Sequence, residues 1–121
     1  MNDVVVEHAD RRFQVWAYSV SMARLLLRST KSDTFTTRVD VLFQNVKAVK
    51  LPTALDGLVV AEANTPEAAQ ISAETGLLPS EDTKIFSVRT GAFEGYVVAG
   101  VTVAAEDNGE YFEPSRLWRE P

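Results

Sequence analysis

The chain of 121 residues has no cysteine, a formal net charge of −5, and an ordinary globular balance of 45% hydrophobic and 24% charged residues. The missing cysteines exclude disulfide frameworks, thiolate metal sites, iron–sulfur ligation and a cysteine nucleophile. The acidic balance opposes binding to a phosphate backbone or an anionic membrane, and the size fits one β-rich domain over residues 1–121 that needs no metal or disulfide to fold.

The segment Met1 to His8 carries neither a basic region nor a long apolar stretch. No apolar run approaches the roughly 20 residues of a membrane helix, so a cytoplasmic protein is expected. Residues 1–10 read as a lead-in with a short edge strand at Val4–Val6. Phe13 to Met22 reads as a strand, with Phe13, Val15 and Ala17 on one face and Trp16, Tyr18, Val20 and Met22 on the other. Leu25-Leu26-Leu27 follows between Arg24 and Arg28, and the polar segment Thr30 to Thr34 suits a hairpin loop.

Thr37 to Phe43 gives the cleanest alternation, with Val39, Val41 and Phe43 on one side and Arg38 and Asp40 on the other. A symmetric hairpin around the polar loop places Arg24 opposite Asp40, Leu25 opposite Val39 and Leu27 opposite Thr37.

Val46 to Leu51 is a further short strand stopped by Pro52. Asp56-Gly57 reads as a turn before a strand at Leu58 to Ala63. A helix is expected near residues 66–75, with Thr65 as cap, Pro66 in the first helical position, Glu67 complementing the dipole and Gly76 ending it. Leu77 to Thr83 reads as loop, Lys84 to Thr90 as strand, and Gly91 to Gly95 as turn. Tyr96 to Ala105 reads as one long strand with a bulge at Gly100. Asp107-Asn108-Gly109 signals a hairpin leading to a short strand at Tyr111-Phe112, and Trp118 is expected to pin the C-terminal segment onto apolar surface. The sum is a mainly antiparallel β domain (β-rich α+β) of seven to eight strands. Its twisted sheet forms a sandwich or half-open barrel with one short helix.

Residues that usually carry chemistry are isolated. His8 is the only histidine, and no serine sits in a nucleophile-elbow pattern. Glu106, Asp107, Glu110 and Glu113 cluster without the spacing of a calcium loop, so a solvated hairpin tip explains them better. Asp40, Glu62, Glu94 and Glu110 are the carboxylates from which an acid–base pair would be drawn, and nothing selects two of them. Arg11, Arg12, Arg24, Arg28 and Arg38 form one basic patch, read as a solvated sheet face with Arg–Asp pairing. Trp16, Tyr18, Phe43, Tyr96, Tyr111 and Phe112 read as core aromatics. Trp118 serves equally as an anchor for a neighbouring subunit. No catalytic, cofactor-binding or metal-binding residue is assigned, and no cofactor is expected.

The runs Trp16 to Ser21, Leu25 to Ser29 and Thr37 to Phe43, with Gly95 to Gly100 and Gly109 to Ser115, resemble those of small uncharacterised bacterial proteins of this length. That resemblance implies no activity and no site residue. By class and composition the chain is also similar to small, acidic, cysteine-free, β-rich immunity proteins. The expected function is a non-catalytic protein-interaction module, of immunity type in one form. Its partner is another protein or a second copy held through an edge strand or the Trp118 tail. The alternative is a small-ligand-binding β domain or a simple carboxylate enzyme, which needs Asp40 or Glu62 to face an interior hollow.

Overall fold

The structure, a computed structural model, describes residues 4–118. Its strands are β1 (Val4–Ser19), β2 (Arg24–Ser29), β3 (Arg38–Gln44), β4 (Ala48–Lys50), β5 (Ala54–Glu62), β6 (Lys84–Arg89), β7 (Glu94–Ala99) and β8 (Val101–Asp107). Among the described residues a single helix, α1 (Thr65–Thr75), lies between β5 and β6. All ladders are antiparallel and form one sheet in the order β4-β7-β6-β5-β1-β2-β3-β8. The mainly β architecture with one helix is the one the alternation predicts, and the sheet is not closed into a barrel.

The sheet's inner face holds the core. Phe13, Leu25, Leu27, Val41, Phe43, Leu55, Val60, Val88 and Val97 are all 2% exposed or less and pack as one cluster. Each such side chain contributes about 1.5–3 kcal/mol on leaving water. Phe43 meets Phe86 edge-on at 5.8 Å between ring centroids, joining strands that lie far apart in the ladder. The outer face is covered in two places. Ile71 of α1 packs on Ile85 and Val98 above β6 and β7. The segment after β8 lies over Trp16, Leu26 and Arg28 on the opposite flank.

Helix α1 starts at a capping box in which Asn64, not Thr65, is the cap. The Asn64 side chain accepts from the Glu67 N–H while the Glu67 carboxylate accepts from the Asn64 N–H. Thr65 is the first helical residue, and Gly76 ends the helix in the left-handed conformation at φ 75°.

Several boundaries and one register differ from the sequence expectation. The lead-in and the Phe13 strand are one strand of 16 residues. A bulge at Trp16 rotates the following residues, so that Val15 pairs with Leu27 and Tyr18 with Leu25 on the same face. Asp56-Gly57 is no turn but lies inside β5, where the β1–β5 register shifts between His8 and Arg12. Gly57 takes φ +80° there, and a Cβ on it would stand 2.8 Å from the Ala9 carbonyl oxygen. Tyr96 to Ala105 divides at Gly100 into two strands serving different neighbours, β7 between β4 and β6, and β8 beside β3. Asp107-Asn108-Gly109 closes no hairpin. The Asp107 carboxylate accepts from the Gly109 N–H in a side-chain turn, and Tyr111-Phe112 is a turn rather than a strand.

The predicted Arg24–Asp40 pair is replaced. In the β2–β3 ladder Arg24 lies opposite Gln44, Leu25 opposite Phe43, Leu27 opposite Val41 and Arg28 opposite Asp40. The faces are as predicted and the offset is not. The connection from Thr30 to Thr37 is longer than a simple hairpin loop, with its own turn closed by Ser32 N–H donating to the Phe35 carbonyl.

Candidate functional site

Strand β8 ends the ladder, so one row of its backbone N–H and C=O groups has no ladder partner among the described residues. Its sequence, Val101-Thr102-Val103-Ala104-Ala105-Glu106-Asp107, has no proline and no lysine. Its register against β3 runs without a shift from Val101 opposite Gln44 to Asp107 opposite Arg38. Val101 and Val103 are 43% and 40% exposed on the outer face. The inner-facing Thr102 hydroxyl is buried and has no hydrogen-bond partner among the described residues.

Both acids at the end of β8 are tied to arginines of the same chain. On the outer face Arg38, itself 2% exposed, holds the two Asp107 oxygens at 3.1 and 3.2 Å. Its remaining donors reach the carbonyls of Glu110, Glu113 and Pro114, which fixes the segment beyond the strand. Burial pushes the Asp107 carboxyl up, but hydrogen bonds from Arg38 and the Gly109 N–H, with the Arg38 and Arg116 charges, outweigh it. The net result lies below the ordinary carboxylate range. On the inner face Arg11 lies 3.8 Å from Glu106 and donates to the hydroxyls of Ser29 and Thr37. Burial lowers the Arg11 pKa, against the opposing pull of Glu106 and Asp10.

Arg28 and Asp40, both 1% exposed, form the third part of this frame. Arg28 holds Asp40 at 2.7 and 3.1 Å, donates to the Tyr111 carbonyl, and lies 5.0 Å from the Trp16 ring centroid. Tyr111 meets Trp16 edge-on at 5.0 Å, and Trp118 shares a cleft with Trp16, Leu26 and Pro114. The expected basic patch thus resolves into two kinds of arginine. Arg11, Arg28 and Arg38 are buried, whereas Arg12 is exposed and lies 3.9 Å from Asp56. Sequence reading took these arginines for a solvated face; the segment after β8 covers Arg28 and Arg38, while Arg11 is buried on the inner face against Ser29, Thr37 and Phe35.

The remaining candidates are dispersed. Asp40 faces the outer frame, and Glu62 pairs with Lys84 at 3.2 Å with about 42% of its side chain exposed, so neither enters an interior hollow. Glu94 lies opposite Arg89 at the β6–β7 end, and Glu110 accepts from Lys31. His8 lies beside Phe13 at 6.0 Å. Of the acidic cluster, Glu106 and Asp107 belong to the arginine frame, and Glu113 contributes its carbonyl to Arg38. Asp82, outside that cluster, is held below the ordinary carboxylate range by the Ser80 hydroxyl, Lys47 and Thr83. Among the aromatics Phe43 is core, while Tyr18 and Phe112 are exposed.

One apolar groove of about 420 Å³ opens where the Trp16 bulge and β4 diverge, lined by Val15, Tyr18, Leu25, Val46, Val49 and Leu51. Sequence reading missed it because its walls come from three separate stretches. Comparison with protein-family models, curated proteins and solved structures returned no match to this chain.

Proposed function

We propose that this chain is a non-catalytic protein-interaction module that takes up its partner by strand addition to β8. The carrying observation is the difference between the open edges of one sheet. Strand β4 is three residues long, contains Lys50, and is followed by Pro52. The N-terminal half of β1, which β2 pairs only from Gln14 onward, carries Glu7, Asp10 and Arg12 and a bulge. These are the usual devices that keep an edge from pairing. Strand β8 has none of them over Val101 to Ala105, and strand addition needs just such an edge. An immunity-type basic partner rests on the net charge of −5 alone, and the uncharged stretch of β8 favours an apolar partner strand instead.

The test is capture from host lysate with wild-type bait and with Val103→Lys bait of unchanged circular dichroism. Retention of a stoichiometric protein, or of further copies of the chain itself, by the wild type but not the variant supports the proposal. Equal retention by both, or none by either, overturns it. The apolar groove favours a second reading, a small apolar ligand between β1 and β4. Native mass spectrometry of the same eluate would read that ligand as added mass that survives Val103→Lys.

A further inference from the structure

Resting on the strand-addition reading, we infer that the partner of β8 is a second copy of β8, paired antiparallel about Val103. The five residues Val101 to Ala105 are uncharged, and this register overlaps all five: Val103 on Val103, Val101 on Ala105, Thr102 on Ala104. Residues directly opposite in an antiparallel pair share a face. The exposed Val101 and Val103 of the two copies therefore meet on the outer face.

The charges fit this orientation. Glu106 and Asp107 sit at one end of the strand, so antiparallel pairing sends the two acidic ends apart, whereas parallel pairing would stack like charges. Each acid is also bound within its own copy, Glu106 near Arg11 and Asp107 in the two-point grip of Arg38. A chain with net charge −5 thus brings two copies together at a place where its negative charge is already answered. The unshifted β3–β8 register keeps the edge straight over its whole length, as a continuing ladder requires. The product is one sheet running through both copies, with a closed two-fold interface that leaves no second β8 edge to propagate.

The chain's lack of cysteine makes the test direct, because any disulfide reports an introduced thiol. Single variants Val101→Cys, Val103→Cys and Ala105→Cys are oxidised under mild conditions, alone and mixed. Val103→Cys is expected to cross-link with itself, while Val101→Cys and Ala105→Cys cross-link with each other far faster than either does alone. Sedimentation of the unmodified chain at high micromolar concentration is expected to give twice the 13.3 kDa monomer mass, and Val103→Lys the monomer mass. The mixed cross-link keeps the test valid if Val103→Cys alone fails to fold. Equal cross-linking by all three positions, or a wild-type monomer at that concentration, overturns self-pairing. If that monomer still captures another protein that Val103→Lys releases, strand addition stands and only the identity of the partner falls.

Discussion

Arg28 and Asp40 meet at 2.7 Å in a place where each is 1% exposed, and the pair is directly cross-strand. Removing one partner leaves a charge stranded away from water, which costs about 3–5 kcal/mol, whereas replacing both with apolar groups of similar size is often neutral. Asp40→Ala is therefore expected to lose about 3–5 kcal/mol in urea unfolding, and Arg28→Met/Asp40→Leu to regain most of it. A double variant as unstable as Asp40→Ala would move the stability to Arg28's other contacts, the Trp16 ring and the Tyr111 carbonyl.

The sequence showed that Arg and Asp face each other here but named the wrong arginine. Alternation fixes the face of a strand and leaves its offset open, since a slip of four residues keeps every side chain on its side. Arg24 and Arg28 are also four apart, so either register sets an arginine against Asp40, and charge pairing cannot choose between them. The longer Thr30 to Thr37 connection decides it.

Strand β5 shows how a local signal yields to its neighbours. Asp-Gly is among the strongest turn pairs when flanked by alternating residues, yet the long β1 recruits it into a ladder by bulging around it. The positive φ that makes glycine suit a turn is used here within a strand. Gly57→Ala is expected to cost about 1–3 kcal/mol, because a left-handed backbone angle coincides with the close Ala9 carbonyl. Amide exchange should rise in β1 and β5 well before it rises in β6 and β7. Uniform acceleration across the sheet would show that the bulge has no local role.

The helix was legible because its cap, proline, acid and glycine all fall within one short stretch. The capping residue moved back by one position because Asn64 is the better acceptor and completes the reciprocal bond with Glu67. Strand β8 was hidden inside a continuous apolar run, since the change of neighbour at Gly100 depends on strands far away in sequence. The candidate edge was therefore out of reach, although the possibility of edge pairing was not.

Over the whole molecule, the segment after β8 is a cover held chiefly by Arg28 and Arg38 through main-chain carbonyls, and Asp107 holds Arg38 in place, so acid should loosen it. The Asp107 carboxyl lies below its ordinary value of about 3.9. Its contribution to stability is thus complete above that value and is lost as pH falls through the lower folded-state value. Titration from pH 5 downward is expected to change Trp16 and Trp118 fluorescence before the far-ultraviolet signal of the sheet is lost. Asp107→Asn is expected to weaken that first step and to be less stable at neutral pH. A single transition common to both signals, unchanged by the variant, would show that the cover and the sheet unfold as one.

The placement of β8 also sets the order in which the chain can assemble. Arg38 and Asp107 are 69 residues apart in sequence yet adjacent in the ladder. Contacts this remote form late, after the entropy of closing a long loop has been met, and they slow folding. During synthesis, the outer edge of β3 therefore waits uncovered, with Val39, Val41 and Phe43 already in place, until β8 has been made. The strand that leaves an edge open in the finished protein is the same one that closes a more apolar edge in the nascent one. Interruption of translation before Gly100 would thus release a fragment whose β3 edge, rather than β8, is the adhesive surface.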